Sequence, residues 1–188
     1  MLQRRHLLAA PLALPALLTG AHATPADLLR EGGLVLALRH ALAPGTFDPP
    51  QFKLGDCSTQ RNLNDIGRQQ AQQIGAWFQA QRLKQARVRS SPWCRCVDTA
   101  QLAFGTHEAW PALGSPRGAT ESTNAESLEA LRAAIRNASR QRGAFEVWVT
   151  HMFVLQDLVG QGTSVGEGLL LRAGSDGAPQ VLGRWTLG

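Results

Sequence analysis

The sequence predicts a three-layer α/β/α sandwich around a mainly parallel central sheet. Two observations carry this. First, "GLVLALR" at 33–39 and "FEVWVTH" at 145–151 are continuous apolar runs of strand length, without the polar alternation of a half-exposed strand. Second, helical segments separate the strand-like runs, giving the order β-α-β-α-α-β-α-β-β. That alternation places helices on both faces of a parallel sheet.

The chain has 188 residues, a single-domain length. Residues 1–23, "MLQRRHLLAAPLALPALLTGAHA", have a basic start, an apolar middle and an Ala21–His22–Ala23 ending. This is the layout of a secretory signal peptide, and it predicts an exported, periplasmic protein with one domain over 24–188. The apolar stretch from Leu7 to Leu18 is short for a bilayer and carries Pro11 and Pro15, so no stable membrane span is expected after cleavage. Arg4–Arg5 ahead of His6–Leu7–Leu8 also resembles a twin-arginine signal, which leaves the export route open.

After the first strand, "NDIGRQQAQQIGAWFQAQ" predicts a helix capped by Asn64, with Ile66, Ile74, Trp77 and Phe78 on its buried face. "ARVRSS" at 86–91 reads as a short strand. Ser91 and Pro92 then read as the cap and first residue of a helix running to about Ala103. Thr123–Asn124–Ala125–Glu126 reads as a capping box, followed by Leu128, Leu131 and Ile135 at helical spacing. "MFVLQDLVG" is a short helix stopped by Gly160, and "GLLLRA" and "QVLGRWTL" are two closing strands.

Three strands end alike. The first ends in Arg39–His40, the second leads into a helix carrying Arg95, and a late strand ends in Thr150–His151. Ligands of α/β sheets bind outside the carboxyl ends of the strands, so these basic groups converge on one crevice. Arginine forks planar donors onto phosphate oxygens, and neutral imidazole is a nucleophile. A helix start at Pro92 adds backbone N–H donors. The set reads as an anion cradle around a nucleophile. His107 sits in a loop and reads as a surface residue.

Other classes fit less well. Net charge is +5, but without the two leader arginines it is +3, with 17 basic against 14 acidic side chains. The arginines are dispersed and Tyr is absent, so a nucleic-acid partner is not expected. No carboxylate is closely spaced with the histidines and no Cys-x-x-Cys pair occurs, so neither metal nor other cofactor is expected.

"LRHA", "RNLNDIGRQQAQQIG", "SSPWCRCVDTA" and "VTH" together resemble the ordered motifs of the histidine phosphatase superfamily, also called phosphoglycerate-mutase-like. The resemblance runs from about Gly33 to Leu171. It implies the phosphoglycerate-mutase-like fold and a phosphomonoesterase in which His40 is phosphorylated while Arg39, Arg95 and His151 bind the phosphoryl group. A small phosphorylated substrate is implied, and exported members suggest an envelope phosphate. The chain departs from the pattern after the second histidine, where Met152–Phe153 replace the residues that carry an acid in one branch. Glu108, Glu121 and Glu167 are the remaining candidates for a proton donor. The large insertion of bigger members is missing, which implies an open pocket with loops 43–61 and 105–123 setting specificity.

In the family pattern the residue after the arginine is small and buried, which places Cys96 towards the core and Cys94 nearer the rim. Cys57 lies in a loop that must pass the same rim. A Cys57–Cys94 disulfide with Cys96 free is therefore expected, with Cys57–Cys96 as the alternative. Two other functional readings stay open on the same fold: a phosphate-binding or regulatory protein with weak turnover, and a phosphomutase, against which export argues.

Overall fold

The first strand, β1 (Leu34–Arg39), fixes the layers. Leu34, Leu36 and Leu38 join one core, and Val35 and Ala37 join another on the opposite face. All five are fully buried, which a strand can achieve only if both sides are covered. The computed structural model of the chain describes residues 23–116 and 121–187, so all but the last residue of the expected leader lies outside it.

On the first face pack α1 (Pro25–Glu31), α2 (Asp65–Ala80) and α3 (Cys94–Phe104), through Leu29, Ile74, Phe78, Cys96 and Ala100. On the second pack α4 (Glu121–Ser139) and α5 (Met152–Val159), through Leu131, Ile135, Val154 and Leu155. The other strands are β2 (Arg87–Ser90), β3 (Glu108–Ala109), β4 (Phe145–Thr150), β5 (Gly168–Ala173) and β6 (Pro179–Trp185). Their order in the sheet is β3-β2-β4-β1-β5-β6. Pairs β1/β4, β2/β4 and β2/β3 are parallel, while β1/β5 and β5/β6 are antiparallel. The three-layer sandwich is as expected, with the antiparallel part confined to the closing strands. The carboxyl ends of β1, β2 and β4 lie side by side, because the three strands are parallel neighbours.

Four sequence expectations need correction. The helix α1, capped reciprocally by Thr24 and Asp27, was not anticipated. In α2 the buried face is Gly67, Ala71, Ile74 and Phe78, whereas Ile66 is exposed. Gly67 decides this: a Cβ there would lie 2.0 Å from the Leu42 carbonyl oxygen, so the helix N-terminus presses its glycine, not Ile66, onto the chain leaving β1. The third helix begins at Cys94 with Trp93 as its cap, not at Pro92 with Ser91; the Ser91 hydroxyl accepts from Trp93 N–H and also meets His151. Finally, α4 begins at Glu121, so the Thr123–Glu126 pattern lies inside the helix.

Candidate active site

The site grows from the end of β1. His40 N–H bonds the Thr150 carbonyl at 3.0 Å, continuing the β1/β4 ladder one residue past the strand. Ala41 N–H then donates to Thr99 Oγ1 (3.1 Å), and the Thr99 hydroxyl donates to the Arg95 carbonyl (2.7 Å). Thr99 thereby registers α3 against the β1 exit. Gln70 performs the same service for α2, accepting from Leu42 N–H (3.0 Å) and donating to the Val165 carbonyl (3.1 Å).

These ties place Arg39, His40, Arg95 and His151 around one cavity of about 370 Å³. The two imidazoles stand 5.6 Å apart at 66°. His40, Arg95 and His151 are each at most 3 % exposed, and Arg39 is half-buried.

His40 Nδ1 lies 2.8 Å from the Ala41 carbonyl oxygen. A carbonyl only accepts, so Nδ1 carries the hydrogen and Nε2 keeps its lone pair. Burial, with the charges of Arg95 and Arg39, pushes the His40 pKa down to about 3, opposed only by that hydrogen bond, so the ring is neutral. At His151, Arg95 donates to Nδ1 (3.4 Å), which sets the hydrogen on Nε2, directed to Ser91 Oγ at 2.8 Å. Burial and then the Arg95 charge hold His151 well below the ordinary histidine range.

Arg39 is anchored through one nitrogen to the Thr163 carbonyl at 2.8 Å. The Nε atoms of Arg39, Arg61 and Arg95 are buried without a hydrogen-bond partner within the protein. Buried N–H groups of this kind are rare, and three lining one cavity with a neutral imidazole are what an incoming anion would satisfy.

The sequence points to loop 43–61 as a wall of the pocket, but not to the side chains it brings there, Asp48 and Arg61. Asp48 accepts from Arg95 at 2.8 Å and from Arg61 N–H at 3.0 Å. Burial pushes its carboxyl up, but these hydrogen bonds and the charges of Arg95 and Arg61 outweigh burial and hold it below the usual carboxylate range. Arg61 gathers the carbonyls of Ala43, Pro44 and Gly45 at 2.6, 3.2 and 2.7 Å. The signal for Arg61 was present, since it stands two residues before the Leu63 that opens the helix motif; nothing local marks Asp48.

The proposed acids fare differently. Glu108 pairs with Arg87 and Arg89 on β2, outside the cavity. Glu167 is tied to Ser164 N–H (2.6 Å) and Arg184 (2.5 Å), also outside it. The Glu121 side chain lies outside the described residues. His107 is half-buried and does not line the cavity. At the start of α3, Cys94 N–H bonds Gln60 Oε1 (3.0 Å), Trp93 N–H bonds Ser91 Oγ (3.3 Å) and Pro92 has none, so these three residues offer no free N–H donor. Cys57 and Cys94 form the disulfide, and Cys96 is free and buried, its sulfur 3.6 Å from His151 Nε2. Burial pushes its thiol up to about 12, which makes it inert.

Residues 37–116, from within β1 to just beyond β3, match the family model of the histidine phosphatase superfamily (branch 1). The fold is similar to that of the protein histidine phosphatase SixA in complex with tungstate, at 16 % identity and TM-score 0.54, over 80 % of this chain and 95 % of that one. It is similar to an open reading frame product of Mycobacterium tuberculosis, at 19 % identity and TM-score 0.58, over 79 % and 94 %. A phosphoserine phosphatase of Entamoeba histolytica matches at 13 % identity and TM-score 0.58, over 82 % and 97 %. No curated protein matches by sequence.

Proposed function

We propose that this chain, which belongs to the histidine phosphatase superfamily, is a metal-independent phosphomonoesterase working through phosphorylated His40. One observation carries the reading: a neutral imidazole with Nδ1–H committed to the Ala41 carbonyl keeps a free Nε2 lone pair in a cavity lined by arginines whose buried Nε–H groups lack partners. Nε2 attacks phosphorus, the ester P–O bond breaks, and its electron pair leaves on the alcohol oxygen. Water then attacks phosphorus, the N–P bond breaks, and inorganic phosphate departs. Arg39 and Arg95 stabilise the equatorial oxygens as charge develops on them, and His151 joins them once the charge of the bound phosphoryl dianion brings a proton onto its Nδ1. The same crowd of positive charge repels a divalent cation. The leader at 1–23 adds export to the periplasm to this proposal.

Rapid-quench labelling with a phosphate-labelled ester, in EDTA, tests the reading. An acid-labile label on His40 is expected. Label that persists in His40→Ala, label that maps to His151, or activity that is lost in EDTA and restored by a metal overturns it.

Asp48 favours one variant of the second reading, a phosphate-binding protein with weak turnover. It is the single carboxylate lining the cavity among the described residues, and it is ion-paired with Arg95 and not poised as an acid. Alkyl esters, whose alkoxide must be protonated as it leaves, would then turn over slowly.

A further inference from the structure

Outside the cradle, the cavity wall is a row of aromatic rings. From His40 to His151 the centroids are 5.6 Å apart, from His151 to Trp93 5.4 Å, and from Trp93 to Phe52 5.5 Å. The row thus runs without a gap from the nucleophile to the rim. Phe52 and Trp93 are stacked, their planes 18° apart, so the pair forms an aromatic panel two rings deep. Phe47, 58 % exposed, and Phe153 line the same cavity. Every ionisable residue among the described lining residues belongs to the cradle: Arg39, His40, Asp48, Arg61, Arg95 and His151.

The panel is also held rigid. Trp93 precedes Cys94, whose sulfur is bonded to Cys57 and whose N–H is held by Gln60 of the same loop. Thr59 and Gln60 bond Lys53, next to Phe52, on its N–H and carbonyl respectively. Ordering cost at binding is therefore small on both sides of the panel.

We propose that the substrate class of this site is an aryl phosphate, a phosphomonoester whose leaving alcohol is a planar, uncharged aromatic ring. The proposal rests on the phosphatase reading above. The phosphoryl group sits in the cradle and the ring continues the Trp93–Phe52 stack. The chemistry agrees with the placement. A phenolic oxygen has a pKa of about 10, so it leaves as the oxide without a proton, and the site needs no general acid. On this view the ion-paired Asp48 is no defect of the catalyst.

Inhibition by two non-hydrolysable probes separates shape from leaving-group chemistry: phenylphosphonate and cyclohexylphosphonate, equal in charge and ring size but planar in one case only. The full-length oxidised protein should bind phenylphosphonate about 3- to 10-fold more tightly, the range expected of one good aromatic contact. Phe52→Leu, which keeps apolar bulk but removes the plane, should bring the two inhibition constants together, with inhibition by inorganic phosphate unchanged. Equal constants in the parent protein, or a preference for cyclohexylphosphonate, overturn the aryl specificity and leave the phosphatase reading standing. No inhibition by either phosphonate or by inorganic phosphate overturns both.

Discussion

The two walls of the cavity are built in opposite ways. One wall is made of strand ends: Arg39 and His40 follow β1, Arg95 sits one turn after β2, and His151 follows β4. Its residues are placed by sheet hydrogen bonds and a fully buried core, so small sequence changes elsewhere scarcely move them. The other wall is the loop between β1 and α2, in which only residues 57–59 take a regular form, a single 3₁₀ turn. Side-chain ties hold it: Asp48 to Arg95, Arg61 to three carbonyls, and Cys57 to Cys94. The difference teaches a division of labour. In the proposed function the rigid wall carries chemistry that needs sub-ångström placement, and the tethered wall carries what selects the substrate.

Breaking the rigid wall should have the largest effect. Arg95→Ala should lower kcat by about 10²–10³, by analogy with loss of one oxyanion donor, with KM changing far less. Arg95→Lys should recover little, since an ammonium cannot serve His151, Asp48 and the phosphoryl group at once. Steady-state kinetics on a phosphomonoester reads both; near-normal kcat in Arg95→Lys would show that only charge matters there.

Releasing the tethered wall should act on stability first. Cys57→Ser opens a loop with a sequence separation of 37 residues. The chain-entropy relation assigns such a closure about 3–4 kcal/mol. Urea titration of the oxidised parent and the variant checks this. The variant should still form the His40 phosphoenzyme, with KM raised more than kcat is lowered. A variant that loses the phosphoenzyme altogether would merge the two walls into one unit.

The smallest effect, and the sharpest probe of the joint between the walls, belongs to Asp48. Its carboxylate holds a face of Arg95 that a phosphoryl dianion also needs. Asp48→Asn removes a like charge from the anion site, so inorganic phosphate should bind more tightly, by about tenfold for a change near 1.4 kcal/mol. Weaker phosphate binding, measured by calorimetry, would instead make Asp48 a support that orients Arg95.

This division also explains what the sequence disclosed. Arg39, His40 and His151 were legible because an apolar run predicts a strand, and a strand's end predicts a crevice. Arg95 was legible through its spacing from Ser91 and Thr99. Glu108 and Glu167 were misread because a carboxylate near a motif says nothing of the arginines that claim it, here Arg87 and Arg184. Asp48 escaped because its partner lies 47 residues away, across a loop with no period to read. Ser91 reads locally as a helix cap, and its hydroxyl does accept from Trp93 N–H, but no local pattern shows its second partner, His151, 60 residues on.

Cys94 and Cys96 flank Arg95 on α3, and only the first is bonded to Cys57. Successive helical residues are rotated by about 100°, so the two sulfurs leave the helix in nearly opposite directions. Pairing Cys57 with Cys96 would require α3 to roll about its axis by roughly half a turn, carrying the Arg95 guanidinium away from His40 and dragging Cys94 into the apolar layer. Oxidation of the chain thus records the rotational phase of one helix. A correctly oxidised molecule certifies, by its covalent connectivity alone, that Arg95 faces inward.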